Sequence, residues 1–149
     1  MTICARLSIL GVLCAALTGC GGGGQASAPL QESGLKPISV FYGRFLSQHR
    51  GQPPKDEAEF KTFLATMPPE EWKGFKFENM DAAWNASRDK QPYVIVYGAA
   101  PAGPGLNGAP VIAYEKQGVG GKRYVASWNG DVQEVDEAKF KELVPTPAP

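Results

Sequence analysis

Apolar side chains at Ile38, Phe41, Tyr42, Phe45 and Leu46 follow the i, i+3, i+4, i+7, i+8 spacing of one helix face. That spacing predicts a helix over 37–50, with Pro37 suited to its first turn and Gly51 and Pro53-Pro54 closing it. A second helix is predicted from Asp56, whose carboxylate can cap it while Glu59, three residues on, completes a capping-box variant. Phe60, Phe63, Leu64 and Met67 mark its buried stripe, and Pro68-Pro69 ends it. Beyond it, Pro69-Glu70-Glu71-Trp72 reads as a single helical turn and the alternating Phe75 and Phe77 as a short strand.

The period then changes. A run of β-formers over 93–97 follows the turn residues Asp89-Lys90-Gln91-Pro92. Runs over 111–116 and 122–128 flank a glycine-rich loop, and 131–135 follows Asn129-Gly130, a pair that predicts a type I′ hairpin turn. Asp136 can cap a closing helix that carries Phe140 and Leu143. The pattern is that of an α+β domain: two N-terminal helices, a four-stranded, mainly antiparallel meander and a short C-terminal helix.

The front of the chain follows another rule. Arg6 precedes an apolar run from Leu7 to Leu17, shorter than the roughly 20 residues a membrane-spanning helix needs and of the length of an export signal. It ends in Leu17-Thr18-Gly19-Cys20, which resembles the lipobox of bacterial lipoproteins. The resemblance implies a diacylglyceryl group on the Cys20 sulfur, cleavage before Cys20, and a signal peptide over 1–19. Gly21-Gly22-Gly23-Gly24 opens a polar, glycine-rich tether over 20–34. About 15 such residues span roughly 20 Å. The folded domain is expected over 35–145, with a disordered proline-rich tail over 146–149. Gly21 after the cysteine, read by the sorting rule of lipoproteins, favours the periplasmic face of the outer membrane.

Cysteine and charge narrow the chemistry. Of three cysteines, Cys4 and Cys14 leave with the signal, so the mature chain is expected to have no disulfide, thiolate metal site or cysteine nucleophile. The 15 basic and 15 acidic residues balance, and loss of Arg6 leaves the acidic set one ahead, which argues against nucleic-acid binding. His49 is the one histidine. Without a second, a His-rich zinc site is not expected, and beside Arg50 it suits the negative end of a helix. Glu70 and Glu71 are adjacent and diverge on any regular element, making a poor acid/base pair. Gly118-Val119-Gly120-Gly121-Lys122 fails the phosphate-loop pattern, because Lys116 takes a glycine position and Arg123 follows the lysine. Lys116, Lys122 and Arg123 remain as a possible interaction patch for anions.

The stretch from Val111 through Gly120-Gly121-Lys122-Arg123 to Asn129-Gly130-Asp131 resembles the C-terminal end of pseudopilin-like proteins of type II secretion. Those proteins have an Asp-Gly turn, some with a histidine ten residues before the aspartate; here the turn is Asn129-Gly130 and that earlier position is Val119. They begin with a long apolar helix, where this chain has a lipid anchor and tether. The resemblance implies a detached, lipid-anchored head and brings no catalytic residue.

These features point to a non-enzymatic envelope protein, held to the membrane by lipid on Cys20, whose domain contacts an envelope partner and needs no cofactor. The alternative is a small-molecule-binding domain with a pocket of Tyr93, Tyr97, Tyr114, Tyr124 and Trp128. A hydrolase using Asp89, Asp131 or Glu115 is a third and weaker reading.

Overall fold

A computed structural model describes residues 33–99 and 103–145; the expected signal peptide over 1–19, Cys20 and the tail over 146–149 lie outside the described residues. Helix α1, Leu35–Gln48, buries Leu35, Ile38, Phe41, Tyr42 and Phe45 along the predicted stripe. It starts ahead of Pro37, whose missing N–H costs nothing in a first turn. It stops short of Arg50, which turns left-handed (φ 57°) and lets Gly51 N–H donate to the Leu46 carbonyl at 2.7 Å. Helix α2, Glu57–Leu64, begins as expected: the Asp56 carboxylate accepts from Glu59 N–H at 2.8 Å. The Glu59 carboxylate in turn accepts from Lys55 N–H at 2.6 Å.

The single turn at Pro69 is helix α3, Pro69–Gly74. The strand expected around Phe75 and Phe77 is not formed. Those residues terminate α3 instead: Lys76 is left-handed (φ 66°), its N–H donates to Lys73 O, and Phe77 N–H reaches back to Trp72 O at 3.0 Å. This is a Schellman motif, in which a helix end mimics an alternating apolar pair. Helix α4, Met80–Trp84, was not anticipated; Asn79 caps it by accepting from Ala82 N–H at 3.0 Å.

The four strands, β1 (Val94–Ile95), β2 (Val111–Tyr114), β3 (Lys122–Ser127) and β4 (Val132–Asp136), form an antiparallel meander in the order β1-β2-β3-β4. A register shift between Val111 and Ala113 marks a bulge in β2. Asp136 ends β4 and caps helix α5, Glu137–Leu143, through Lys139 N–H at 2.8 Å. The α+β fold is that expected from the pattern.

The two hairpin turns are the reverse of expectation. Gly120 and Gly121 both have positive φ, and Val119 and Lys122 exchange backbone hydrogen bonds across them, so the two-residue turn lies in the glycine-rich loop. At the other hairpin only Gly130 has positive φ (90°), and Gly130 N–H donates to Ser127 O across Trp128 and Asn129. That is a three-residue loop with the left-handed glycine last, not a type I′ Asn-Gly turn. The Asn129 carboxamide explains it: its oxygen accepts from Asp131 N–H at 3.1 Å and contacts the Ser127 hydroxyl at 2.5 Å, holding Asn129 out of the left-handed region.

Helices α1–α4 cover one face of the sheet. Their side chains pack with Tyr93, Ile95, Ile112, Tyr124 and Ala126. Helix α5 covers the other face, where Phe140 and Leu143 meet Tyr114, Val125 and Val135. Ser33 and Gly34, inside the stretch assigned to the tether, are packed into the domain. The buried Ser33 hydroxyl lies 3.1 Å from the Tyr93 hydroxyl, and a Cβ on Gly34 would fall 2.0 Å from Ala83 O.

Candidate functional site

At one end of the sheet, the turn after α1, the start of β2 and the β3–β4 hairpin enclose an open groove of about 610 Å³. Tyr42 and Leu46 belong to α1, Pro53 to the turn after it, Gly98 and Ala99 to the exit of β1, Pro110 and Ile112 to the entry of β2, and Trp128 to the hairpin tip. Gly43, Ser47, Gly51 and Gln52 complete the lining. No aspartate, glutamate, histidine, lysine, arginine or cysteine is among these residues. The Tyr42 hydroxyl is committed to the Val96 carbonyl at 2.9 Å, and burial raises its pKa well above the usual phenol range.

Trp128 is 41% exposed but held in place from several sides. Gly43 allows the hairpin backbone to rest on α1, since a Cβ there would sit 2.3 Å from Trp128 O. Lys36 Nζ donates to Gly130 O at 2.7 Å. The carboxamides of Asn129 and Asn107 each donate to Asp131 Oδ2 at 3.1 Å. A large apolar ring is thus displayed on a fixed turn rather than on a loose loop.

The opposite end of the same sheet is polar and closed. Glu115, 1% exposed, follows β2, and its Oε2 accepts from Tyr124 N–H at 2.8 Å. Its Oε1 lies 3.7 Å from Arg88 Nε and has no hydrogen-bond partner. Arg88 lies 4.1 Å above the Tyr124 ring centre, donates to Glu134 at 2.6 Å and reaches Val119 O at 3.3 Å. Asp89 accepts from Gly118 N–H at 2.9 Å. Arg88 and Asp89 thereby clasp the loop over 85–92 to the β2–β3 hairpin. Burial raises the Glu115 pKa; the Tyr124 N–H and Arg88 pull it down, while Asp89 and Glu134 push it up.

The residues singled out from the sequence fall in different places. Lys122 lies 3.9 Å from Glu134 and Arg123 lies 3.3 Å from Glu137, so two of the three cations of the expected anion patch already face carboxylates, and Lys116 is exposed. Arg123 also donates to the Lys116 carbonyl at 2.5 Å and covers the Phe140 ring. His49 stacks on Phe45 at 3.8 Å, with Nδ1 2.9 Å from the Phe45 carbonyl. Because a carbonyl only accepts, Nδ1 carries the proton, as suits a helix terminus. Glu71 pairs with Arg44 at 2.6 Å.

The five aromatic residues proposed as one pocket are not brought together. Tyr93 and Tyr124 pack under the helices and Tyr114 under α5; Tyr97 is half-buried against the helical side, and Trp128 alone lines the groove. Burial pushes Tyr93 up to about 12 and Tyr97 higher still. The other groove residues read in sequence as core or turn, and only Trp128 beside Asn129-Gly130 marked the place.

Among the described residues, no group of three His, Cys, Asp or Glu side chains is placed to hold a metal ion, and no helix is long and apolar enough to cross a membrane. Compared with known proteins, the chain matches no family model, no curated protein and no solved structure.

Proposed function

We propose that this chain is a lipid-anchored protein of the bacterial cell envelope, a non-enzymatic interaction module whose partner docks at the Trp128 groove. The anchor rests on the lipobox-like Leu17-Thr18-Gly19-Cys20 and the glycine tether behind it. The observation that carries the docking site is an exposed Trp128 on a firmly held turn, beside a groove whose described lining residues include no acid, base or thiol. The lining's two hydroxyls, on Tyr42 and Ser47, already donate to backbone carbonyls, and no general base among the described lining residues stands beside them to activate either. Covering the open part of the ring, about 100 Å², is worth on the order of 2 kcal/mol, the scale of an interface hot spot.

The test is a photo-crosslinking amino acid placed at Gln52 on the groove, or at Val119 on the opposite end, in intact cells. Val119 is as exposed as Trp128, at 44%. Adducts to a defined partner from Gln52 and none from Val119 support the reading; equal adducts from both, or none from Gln52, refute it. Separately, Cys20→Ser is expected to release a folded domain from the membrane fraction. A variant that stays membrane-bound would remove the anchor from the proposal.

A second reading, a small-molecule site, is favoured by one fact: about 610 Å³ lies within the roughly 300–1,000 Å³ usual for ligand pockets. It expects saturable binding of one neutral compound without any protein adduct from Gln52.

A further inference from the structure

The groove's neutrality narrows what it can hold. A phosphate, carboxylate or ammonium group entering it would lose water and find no countercharge, because no charged side chain among the described residues lines the walls. A glycan chain presents many hydroxyls, yet Gln52 and Ser47 are the only polar aliphatic side chains in the lining, and the Ser47 hydroxyl already donates to Gly43 O at 2.9 Å. The walls are instead flat and rigid: the Trp128 ring, the Tyr42 ring and the pyrrolidines of Pro53 and Pro110. Gly51 and Gly98 leave room for a close backbone approach.

Among the described residues, the Trp128 indole N–H and the Gln52 carboxamide make no hydrogen bond, and both lie at the groove. The indole can only donate, and the carboxamide both donates and accepts. A ligand suited to the indole and the ring walls presents carbonyls and apolar rings. A proline-rich polypeptide does both: its carbonyls point outward in a polyproline II helix, its pyrrolidines offer flat apolar faces, and little conformational entropy is lost on binding.

We infer that the occupant of the groove is an uncharged, proline-rich segment of a partner protein, bound in polyproline II form with its rings on Trp128 and its carbonyls on the Trp128 indole and Gln52. This rests on the groove being the docking site. It adds the chemical class of the partner.

The probe is an N-acetylated, C-amidated deca-proline peptide, added to the full lipidated chain in nanodiscs. The readout is the indole N–H resonance of Trp128, assigned by its loss in Trp128→Phe. A saturable shift of that resonance, with those of Trp72 and Trp84 unmoved, is expected. Affinity should fall at least tenfold in Trp128→Ala and by a smaller factor in Gln52→Ala, both variants keeping the native amide spectrum.

No shift at millimolar peptide, or an equal shift from a Gly-Ser decapeptide, overturns the inference. So does a shift from a chitin tetrasaccharide that deca-proline fails to produce. Binding that appears only after deletion of 146–149, a stretch with Pro147 and Pro149, would assign the groove to the chain's own tail and overturn a partner as occupant. Adducts from Gln52 in cells without any response to deca-proline would leave the docking role standing and remove only the ligand class.

Discussion

The two ends of one sheet invert the usual distribution of polar and apolar groups. At the β2–β3 end a carboxylate and a guanidinium are withdrawn from water, Glu115 at 1% exposure and Arg88 at 15%. At the β3–β4 end a tryptophan is left 41% exposed. Buried charge suggests function at first sight, but here each charged group faces another from the chain itself: Arg88 meets Glu134 and Glu115, and Asp89 meets backbone N–H groups. That end is closed and its chemistry is spent on holding a loop to a hairpin. At the neutral end no described residue covers the open part of Trp128. The lesson is that unmet surface, more than the presence of ionisable groups, marks where a partner belongs.

This contrast is broken most severely by removing Arg88. Arg88→Met leaves Glu115 buried without its countercharge and should cost about 3–5 kcal/mol of stability by urea unfolding. A loss below about 1 kcal/mol would mean the cluster is solvated and not a structural clasp. Gly43→Ala should come next. Alanine gains about 1 kcal/mol of helix propensity, but its Cβ would lie 2.3 Å from the Trp128 carbonyl, a backbone atom that cannot swing away. A net loss of about 1–2 kcal/mol is expected, with a shifted Trp128 resonance; a stabilised protein with that resonance unmoved would show the hairpin does not rest on α1.

The pH dependence is a smaller effect. Glu115 has its folded pKa raised above the ordinary value of 4.5, so the folded state binds its proton more tightly than the unfolded state does. Its contribution therefore favours folding at low pH and is lost as pH rises from about 4.5 through the raised folded value. Glu115→Gln keeps an acceptor for the Tyr124 N–H and leaves Arg88 paired with Glu134. It should flatten the stability profile in that window and leave stability at neutral pH equal or higher. An unchanged slope would place the proton elsewhere.

The smallest expected stability effect is at Trp128. Trp128→Ala should cost about 1 kcal/mol or less by urea unfolding, because 41% of the residue already faces solvent. A large loss would make Trp128 part of the core and dissolve the contrast between the two ends.

Much of the architecture was legible in the chain. The stripe from Ile38 to Leu46, the Asp56 and Asp136 caps and the four β-rich runs gave the order of elements, because each is a local property of spacing or side-chain reach. What failed depended on details beyond the local pattern. Phe75 and Phe77 alternate, but Lys76 turned left-handed to end a helix. Asn129-Gly130 favours a type I′ turn in isolation, yet the Asn129 side chain spends itself on Ser127 and Asp131. The groove was the least visible feature. Tyr42, Pro53, Pro110 and Trp128 are distant in sequence and meet only because the sheet places the entry of β2 and the β3–β4 hairpin tip beside α1. Likewise, Arg88 carried no signal of a buried role until the fold set Glu115 and Glu134 beside it.

The most direct measurement is the crosslinking yield from a photoreactive residue at Gln52 in intact cells, compared between the parent and Trp128→Ala at matched expression and matched thermal stability. The exposed ring's role in docking predicts that the partner adduct falls at least tenfold in the variant. An undiminished adduct from a folded Trp128→Ala protein would contradict it.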